Sequence, residues 1–282
     1  MKITVKGNSG CAIEIVQDEN GLVLQKMSSE KAYASRLSKQ FEKQASFEPP
    51  PNSHIKVPRI YEIVKTANST TGKMEYVYSK NFINYFETAG FEQILFFADT
   101  IINFLDYEIS KSPPKRISSK IFVDKIKAIS KNISSTDIAS LDLLNRVIKE
   151  CLAFKSLNIP IGTCHGDLTL SNILFNGSDC FLIDFLDSFI ESPLMDVVKI
   201  RQDTYFGWSQ LMSELSFDKI RLNLIMKKLD EYIDVHFHQF DWYVKYYRFF
   251  QIINLCRILP YAQNKRIRTF LHNKINQLLG GV

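Results

Sequence analysis

The feature that most limits the fold of this chain is a change of hydrophobic pattern near residue 82. Before it, short apolar runs alternate with turn signals, and after it apolar residues recur at helical spacing. The first runs read ITVKG, CAIEIVQ and GLVLQKM, separated by the turn signals GNSG and DENG. We therefore expect an α+β protein with two unlike lobes. Residues 1–79 are predicted to form a small antiparallel sheet with one helix, the N-lobe, and residues 80–282 a larger, mainly helical C-lobe.

The second half of the N-lobe supplies the predicted helix and two more strands. A stretch rich in Lys, Gln, Glu and Ala predicts a helix over roughly residues 29–45, and the three prolines of FEPPPNSH exclude helix after it. The last two strands are predicted at VPRIYEIV and MEYVYS, with the polar turn ANSTTGK between them.

The C-lobe pattern is helical with one interruption. Apolar spacing predicts helices that include residues 122–133 and 138–152, and SSTD offers N-cap residues for the second of them. Residues 159–187 are the exception, because IPIGTC, NILFNG and CFLIDFL read as short strands. After Asp187 the helical pattern returns and continues to the end of the chain.

The composition limits the classes of function. With 45% hydrophobic and 23% charged residues, the chain is typical of a globular protein rather than a disordered or fibrous one. The formal net charge is +5 and the basic residues form no long run, so we expect no nucleic-acid partner. The locally basic stretch NKRIRTFLHNK is interpreted as a solvated helix face, with an acidic membrane surface as the alternative.

The cysteines and the apolar segments predict a cytoplasmic protein. Five cysteines stand at wide, irregular spacing without a CxxC pair, which favours reduced thiols over a disulfide framework or a zinc site. The N-terminal residues contain no apolar signal core. The most apolar window, ILFFADTIINFL, is interrupted by Asp99 and is too short to span a bilayer. The oligomeric state is left open.

The motif HGDLTLSNILF, followed closely by FLIDFLDSF, carries the strongest functional signal. It places Asp167, Asn172 and Asp184 on loops around short strands. Carboxylate and carboxamide oxygens suit Mg²⁺, which takes one or two protein ligands beside substrate phosphates. A carboxylate left off the metal is able to receive or orient a proton. A turn capped by His165 and Asp167 is the structural alternative.

The spacing H-G-D-x4-N followed by IDF resembles the aminoglycoside phosphotransferase and choline kinase-like family, small-molecule kinases with the protein-kinase fold. Protein kinases carry HRD and DFG at these places. The resemblance implies a bilobal protein-kinase-like fold, the cofactors ATP and Mg²⁺, and transfer of the γ-phosphate to an alcohol. It implies that Asp167 is catalytic, that Asn172 and Asp184 bind the metal, and that His165 and Asp196 are structural.

The resemblance also implies a nucleotide site in the N-lobe. Lys26 on the third strand is expected to contact the α- and β-phosphates and to pair with a glutamate of the following helix, for which Glu42 is preferred to Glu30. The other nucleotide contacts fall on a phosphate-covering turn and on a hinge. They are Gly7, Asn8, Ser9 and Gly10 on the turn, and Met74, Glu75 and Val77 at the hinge.

The acceptor is the least determined part of this interpretation. Residues 205–282 hold 11 Lys and Arg against 6 Asp and Glu, which weakens a polycationic aminoglycoside and favours a neutral or anionic metabolite such as a sugar. Aromatic side chains could stack on a sugar or surround the ammonium of a choline-like acceptor, although core packing is the plainer interpretation. These side chains are Tyr205, Trp208, Trp242, Tyr243, Tyr246 and Tyr247.

Two other classes of function stay open at this point. A kinase-like binding module would have lost turnover, although the motif supplies every group that transfer needs. A metal-dependent hydrolase would use His165, Asp167 and Asp184 as ligands. Such a site needs further histidines, and the other four are remote in sequence. A phosphotransferase with a small hydroxyl acceptor is therefore the preferred interpretation.

Overall fold

A five-stranded antiparallel sheet forms the N-lobe of the computed structural model, which describes residues 2–5, 11–19, 21–28, 30–262 and 264–280. In hydrogen-bonding order its strands are β1 (Lys2–Val5), β2 (Ala12–Asp18), β3 (Gly21–Ser28), β6 (Thr70–Glu75) and β5 (Ile60–Lys65). Helix α1 (Lys31–Ser46) follows β3, and the two-residue β4 (Ile55–Lys56) pairs outside this sheet. The predicted small antiparallel sheet with one helix is confirmed.

Helix α1 packs on the sheet through one face. Leu37 and Phe41 are buried there, together with Met74 of β6. The ring of Phe41 lies so close to Gly72 that a Cβ at that position would come within 2.3 Å of it. Glycine in the middle of β6 therefore allows the helix to approach the strand.

The sequence placed the last N-lobe strand too late. It predicted a turn over residues 67–73 and a strand over residues 74–79, whereas β6 spans Thr70–Glu75. Thr70 pairs with Ser28 and Glu75 pairs with Val23, so β3 fixes the position of β6. Pairing with a distant strand therefore outweighs the local turn preference of Ser, Thr and Gly.

Nine helices build the C-lobe within the described residues. They are α2 (Phe82–Thr88), α3 (Phe91–Ser110), α4 (Lys120–Ser130), α5 (Ile138–Ala153), α6 (Pro193–Thr204), α7 (Trp208–Met212), α8 (Lys219–Phe237), α9 (Asp241–Cys256) and α10 (Lys265–Gly280). The N-cap residue of α5 is Asp137, which lies in the predicted segment SSTD. Its Oδ1 accepts a hydrogen bond from Ser140 N at 3.1 Å. Helix α6 is buried on all sides, so it forms the centre of the lobe.

Two short sheets accompany these helices. β7 (Pro114–Ser118) pairs antiparallel with β8 (Ser156–Pro160). The sequence did not predict β7, and the strand that it predicted at IPIGTC, residues 159–164, overlaps β8 only at residues 159 and 160. The antiparallel hairpin of β9 (Ile173–Asn176) and β10 (Asp179–Leu182) agrees with the predicted strands around the motif. β4 pairs in parallel with β10, so a strand from the N-terminal part of the chain joins the hairpin that carries the motif.

All five cysteines are buried and free. Along the ranges given above, no helix combines the length and the apolarity needed to cross a membrane.

Candidate active site

The β9–β10 hairpin brings Asn172 and Asp184 to the same end of one sheet. Ile173 pairs with Leu182, so the residues just outside this pair are neighbours. The backbone confirms this proximity, because Ile183 N donates to Asn172 O at 3.0 Å. The loop between the strands contains only residues 177 and 178, and Gly177 has the positive φ of 60° that such a tight turn requires.

His165 fixes the shape of the loop before the hairpin. Its Nε2 donates to Ile183 O at 2.9 Å, and its Nδ1 accepts from Asp167 N at 3.2 Å. This pair of bonds requires the neutral ring with the proton on Nε2. Burial of the ring lowers the pKa of His165 to about 4, which agrees with that tautomer. Both nitrogens are occupied, so His165 has no free position for a metal.

Asp196 of α6 binds the backbone of the same loop. Its carboxylate accepts from His165 N at 2.5 Å and from Gly166 N at 2.8 Å. Burial raises the pKa of Asp196 to about 7, although these bonds favour the charged form. Burial also raises the pKa of Glu108 well above its ordinary value, and its carboxyl faces Asp196. Both carboxyl oxygens of Glu108 are buried without a hydrogen-bond partner among the described residues, and a protonated, neutral Glu108 explains how two acids share this buried place.

Gly166 stands where protein kinases have arginine, and the structure requires glycine there. Its φ is +86°, in the left-handed region. A Cβ would lie 1.9 Å from the carbonyl oxygen of Leu186, a backbone atom that has no freedom to move aside. The backbone after Asp184 therefore crosses directly over the loop.

Asp167 lies between two groups that fix its carboxylate. Asn172 Nδ2 donates to Asp167 Oδ2 at 3.1 Å and to Asp167 O at 2.9 Å. Lys199 Nζ lies 2.9 Å from Asp167 Oδ1. Burial opposes ionisation of Asp167, but the charge and hydrogen bond of Lys199 outweigh it and lower the pKa of the carboxyl. Asp167 is thus held as an anion.

Sequence reasoning missed Lys199. It lies on α6, one turn after Asp196, with only 7% of its surface exposed. A signal was present, because Lys199 interrupts the apolar run VVKI at residues 197–200, and a lysine at such a position is buried only with a partner. The same reasoning applies to Asp203 on this helix. Its carboxylate accepts from Leu170 N at 2.6 Å and from Ser209 N at 2.8 Å, which ties the end of the motif loop to α7.

Asn172 and Asp184 form a donor set that suits Mg²⁺. The amide nitrogen of Asn172 donates to Asp167, so its Oδ1 is the atom left to act as a ligand. Asp184 offers a carboxylate whose side chain is 41% exposed. One neutral oxygen and one carboxylate fit an ion that takes its other ligands from phosphates and water. Asp184 also has a φ of 61°, a conformation that is rare outside glycine and typical of functional positions.

Lys26 reaches the same place from the N-lobe. Its side chain is buried, and Nζ donates to Asp184 Oδ1 at 2.7 Å. The sequence predicted a different partner, and that prediction is wrong in this structure. Glu42 is exposed and pairs with Lys65 at the end of β5, and Glu30 is the exposed N-cap residue of α1. Because Phe41 faces the sheet, the adjacent Glu42 is rotated away from it.

A different residue of α1 joins the two lobes. Lys43 Nζ donates to Leu186 O at 2.9 Å and to Glu191 Oε2 at 2.6 Å. Glu191 also accepts from Ser188 N at 2.7 Å, which orders the loop that follows Asp184. Helix α1 is therefore tied to the site through a lysine rather than through the predicted glutamate.

The other predicted nucleotide residues are placed only in part. The turn residues Gly7, Asn8, Ser9 and Gly10 lie outside the described residues. Met74 packs in the core between sheet and α1, Glu75 ends β6, and Val77 is buried just after it. Their part in nucleotide binding stays a prediction.

The aromatic residues of the C-lobe surround a cation of the protein itself. Arg201 of α6 lies over the ring of Tyr247, with 4.5 Å from Cζ to the ring centroid, and 5.6 Å from that of Tyr205. Its guanidinium forms two bonds with Asp230, at 2.7 and 2.9 Å, and it also contacts Tyr243. Core packing, the plainer interpretation of these aromatics, therefore holds for Tyr243 and Tyr247.

A cleft of about 560 Å³ opens beside Asp167, between α1, α4 and the residues after α9. Its charged lining is mainly basic. The basic side chains are Arg36, Lys39, Lys125, Lys199 and Arg257, and the acidic ones are Asp167 and Asp187. This cleft is the candidate acceptor site, because its lining includes Asp167, the motif carboxylate that is not assigned to the metal.

Comparisons with known proteins agree with this site. Residues 130–215, which contain the motif loop, the hairpin and α6, match the model of APH, the phosphotransferase enzyme family. The predicted resemblance to aminoglycoside phosphotransferases and choline kinase-like proteins is thereby confirmed. A comparison with curated protein sequences gives no match.

Solved structures extend the likeness in fold to the whole chain. The GDP complex of wild-type aminoglycoside 2'-phosphotransferase-IIIa has a TM-score of 0.60 at 12% identity, over 99% of this chain and 92% of that one. An amicoumacin kinase in complex with AMP-PNP, Ca²⁺ and Ami gives 0.58 at 11% identity, over 99% and 88%. A choline/ethanolamine kinase family protein from Mesorhizobium loti gives 0.54 at 10% identity, over 99% and 87%. The bilobal protein-kinase-like fold is therefore confirmed.

Proposed function

We propose that this protein is an ATP-dependent phosphotransferase that transfers the γ-phosphate to a hydroxyl group of a small molecule. One observation carries the proposal. Asn172 donates its amide hydrogens to Asp167, so its oxygen and the carboxylate of Asp184 remain as ligands for a metal ion. The site thus separates a free carboxylate from a pair of Mg²⁺ ligands, as phosphoryl transfer to an alcohol requires.

Asp167 acts on the acceptor. Phosphoryl transfer passes through a loose transition state, so positioning of the hydroxyl matters more than strong basicity. Lys199 keeps Asp167 ionised, and Asn172 fixes the direction of its carboxylate. The carboxylate is therefore ready to align a hydroxyl group in the cleft and to take its proton late in the reaction.

The opposite side of the site binds the nucleotide. Asn172 and Asp184 would hold Mg²⁺, which offsets negative charge on the β- and γ-phosphates when bound. Lys26, buried and within 2.7 Å of Asp184, is placed to contact the same phosphates. The solved neighbours that bind GDP or AMP-PNP support a nucleoside phosphate in this fold, and GTP is the alternative donor.

The alternatives find less support in this chain. A hydrolase with His165 as a ligand conflicts with the two hydrogen bonds that occupy its ring. A choline-like acceptor conflicts with the engagement of Tyr205, Tyr243 and Tyr247 by Arg201. A sugar or related metabolite remains the preferred acceptor. The five free cysteines support a reducing compartment, and we infer the cytoplasm.

A screen of hydroxyl acceptors coupled to ADP or GDP release tests the function. We expect release that needs Mg²⁺ and an added acceptor, and that the variant Asp167→Asn does not support. Nucleotide consumption without any acceptor would indicate a hydrolase and contradict the proposal. The absence of consumption with every acceptor, despite measured Mg·ATP binding, would favour a binding module.

A further inference from the structure

Two cations of the acceptor cleft form no salt bridge with any of the residues that the structure describes. They are Lys125 of α4 and Arg257, which follows α9. Nη1 of Arg257 is buried and forms no hydrogen bond with any of those residues. A buried guanidinium nitrogen without an acceptor is costly, so its partner is expected to come from outside the described residues.

Lys125 and Arg257 both lie over one aromatic ring. Lys125 Nζ is 5.6 Å from the centroid of Phe189, and Arg257 Cζ is also 5.6 Å from it. The two positive charges repel each other. Burial lowers the pKa of Lys125, and the charge of Arg257 lowers it further. Burial likewise lowers the pKa of Arg257. An anion close to both cations would stabilise their charged forms and so raise the two lowered pKa values again.

The acidic side chains of the cleft are already paired with lysines, although the charge of Asp167 also acts on Arg257 and partly offsets the effect of burial on its pKa. Asp167 pairs with Lys199 at 2.9 Å, and Asp187 lies 3.6 Å from Lys39. Both acidic residues of the lining are therefore matched by a lysine. The surplus cations Lys125 and Arg257, together with the exposed Arg36, give the cleft a net positive charge.

We propose that Lys125 and Arg257 form an anion subsite, and that the acceptor is a hydroxyl compound carrying a phosphate or a carboxylate group. The inference rests on the proposed function, because it assumes that the cleft beside Asp167 holds the acceptor. A sugar phosphate or a sugar acid fits this chemistry. Its hydroxyl group would lie at Asp167 and its anionic group at Lys125 and Arg257, and about 560 Å³ is enough for one sugar unit.

Calorimetric titration of the protein saturated with Mg·ADP tests the subsite, since the nucleotide site is then filled. The probes are glucose, glucosamine, glucuronate and glucose 6-phosphate, which differ in charge on one ring. We expect the two anionic probes to bind more tightly than the other two, and their relative affinities to distinguish a carboxylate subsite from a phosphate one. Lys125→Ala and Arg257→Gln should each weaken binding of the anionic probes by roughly tenfold or more. This is the loss of affinity expected when a hydrogen bond to a charged group is removed.

Matched controls separate this effect from a loss of folding. Lys127→Ala removes an exposed lysine of the same helix and should change no affinity. Arg257→Lys keeps the charge and should retain part of the binding. Each variant must bind Mg·ADP as the unmodified protein does. If Arg257→Gln fails to fold, Lys125→Ala still decides the question.

The outcomes separate the inference from the proposed function. If an anionic probe binds the unmodified protein more tightly than Lys125→Ala, the result supports the subsite, even if no probe is phosphorylated. Equal binding of neutral and anionic probes, or anionic binding that Lys125→Ala leaves unchanged, overturns it. Phosphorylation of a neutral or cationic acceptor by Lys125→Ala at the unmodified rate would also overturn it, while leaving the phosphotransferase proposal intact.

Discussion

Lys199 Nζ lies 2.9 Å from Oδ1 of Asp167, and the lysine is 7% exposed. The two residues come from different elements, because Asp167 stands on the motif loop and Lys199 on α6. A buried lysine is stable only beside an opposite charge, and here that charge is the proposed catalytic carboxylate. Lys199 therefore acts as a positioning residue that holds Asp167 ionised and in place.

Replacement of this lysine should alter the pH dependence of turnover. Lys199 lowers the pKa of Asp167 against the opposing effect of burial, so Lys199→Met should raise that pKa. The acid limb of the kcat/KM profile should then move to higher pH, with Lys199→Arg as the control that keeps the charge. An acid limb that stays in place in Lys199→Met would show that Asp167 does not depend on this lysine.

Asp167→Asn should separate binding from chemistry. The amide keeps the size of the side chain but cannot take a proton from the acceptor, so acceptor-dependent ADP release should fall by roughly two orders of magnitude or more. Mg·ATP affinity, measured by calorimetry, should stay close to that of the unmodified protein. Full turnover with a verified acceptor would remove Asp167 from the mechanism.

Asp184→Asn should weaken Mg·ATP binding and nearly abolish turnover. Asparagine tolerates the positive φ of this position, so the fold is expected to persist. The loss of one negative charge reduces the attraction for both the metal and Lys26. Asp187→Asn, three residues on, removes an exposed carboxylate and serves as the control. Unchanged Mg·ATP affinity in Asp184→Asn would refute the metal assignment.

Glu42→Ala and Lys43→Ala should behave differently, although they are neighbours on α1. Glu42 pairs with Lys65 at the surface, so its loss should leave the KM for ATP unchanged. Lys43 joins α1 to Leu186 and Glu191, so its loss should reduce turnover and lower the Tm. Steady-state kinetics and thermal unfolding check both variants. A large effect of Glu42→Ala on the KM would restore the partnership with Lys26 that the sequence suggested.

Glu108→Gln should reduce the pH dependence of stability. The pKa values of Glu108 and Asp196 are raised by burial, so the folded protein binds protons that the unfolded chain has already released. The free energy of unfolding should therefore fall as the pH rises between roughly pH 5 and pH 8. An amide at residue 108 does not titrate in this interval, so the decline should be shallower.

Denaturant unfolding across that interval measures the difference between the two proteins. His165, with a pKa of about 4, contributes the opposite slope below its unfolded value, but it is common to both proteins and cancels. Lys43, Cys164 and Glu191 also face this pair and are unchanged. A parallel decline in the variant would show that Glu108 is not the group that takes up the proton.

The sequence by itself determined the division into two lobes and the motif around which the site is built, although it shifted β6 and missed β7. The spacing of apolar residues distinguished the sheet lobe from the helical lobe, because strands and helices bury apolar faces that recur at different intervals along the chain. The motif spacing and the short turn at residues 177 and 178 placed Asn172 beside Asp184, because a hairpin register follows from its turn. The resemblance suggested structural roles for His165 and Asp196, and both residues form hydrogen bonds that hold the motif loop.

Only the tertiary structure decided which charged groups meet. The rotation of α1 is set by the contact of Phe41 with Gly72, and each residue of a helix turns by about 100°, so Glu42 faces solvent while Lys43 faces the C-lobe. Lys199 and Arg257 reach the cleft from helices that are distant in sequence from the motif. Such pairings depend on how whole elements pack, and no local pattern encodes the angle between two elements.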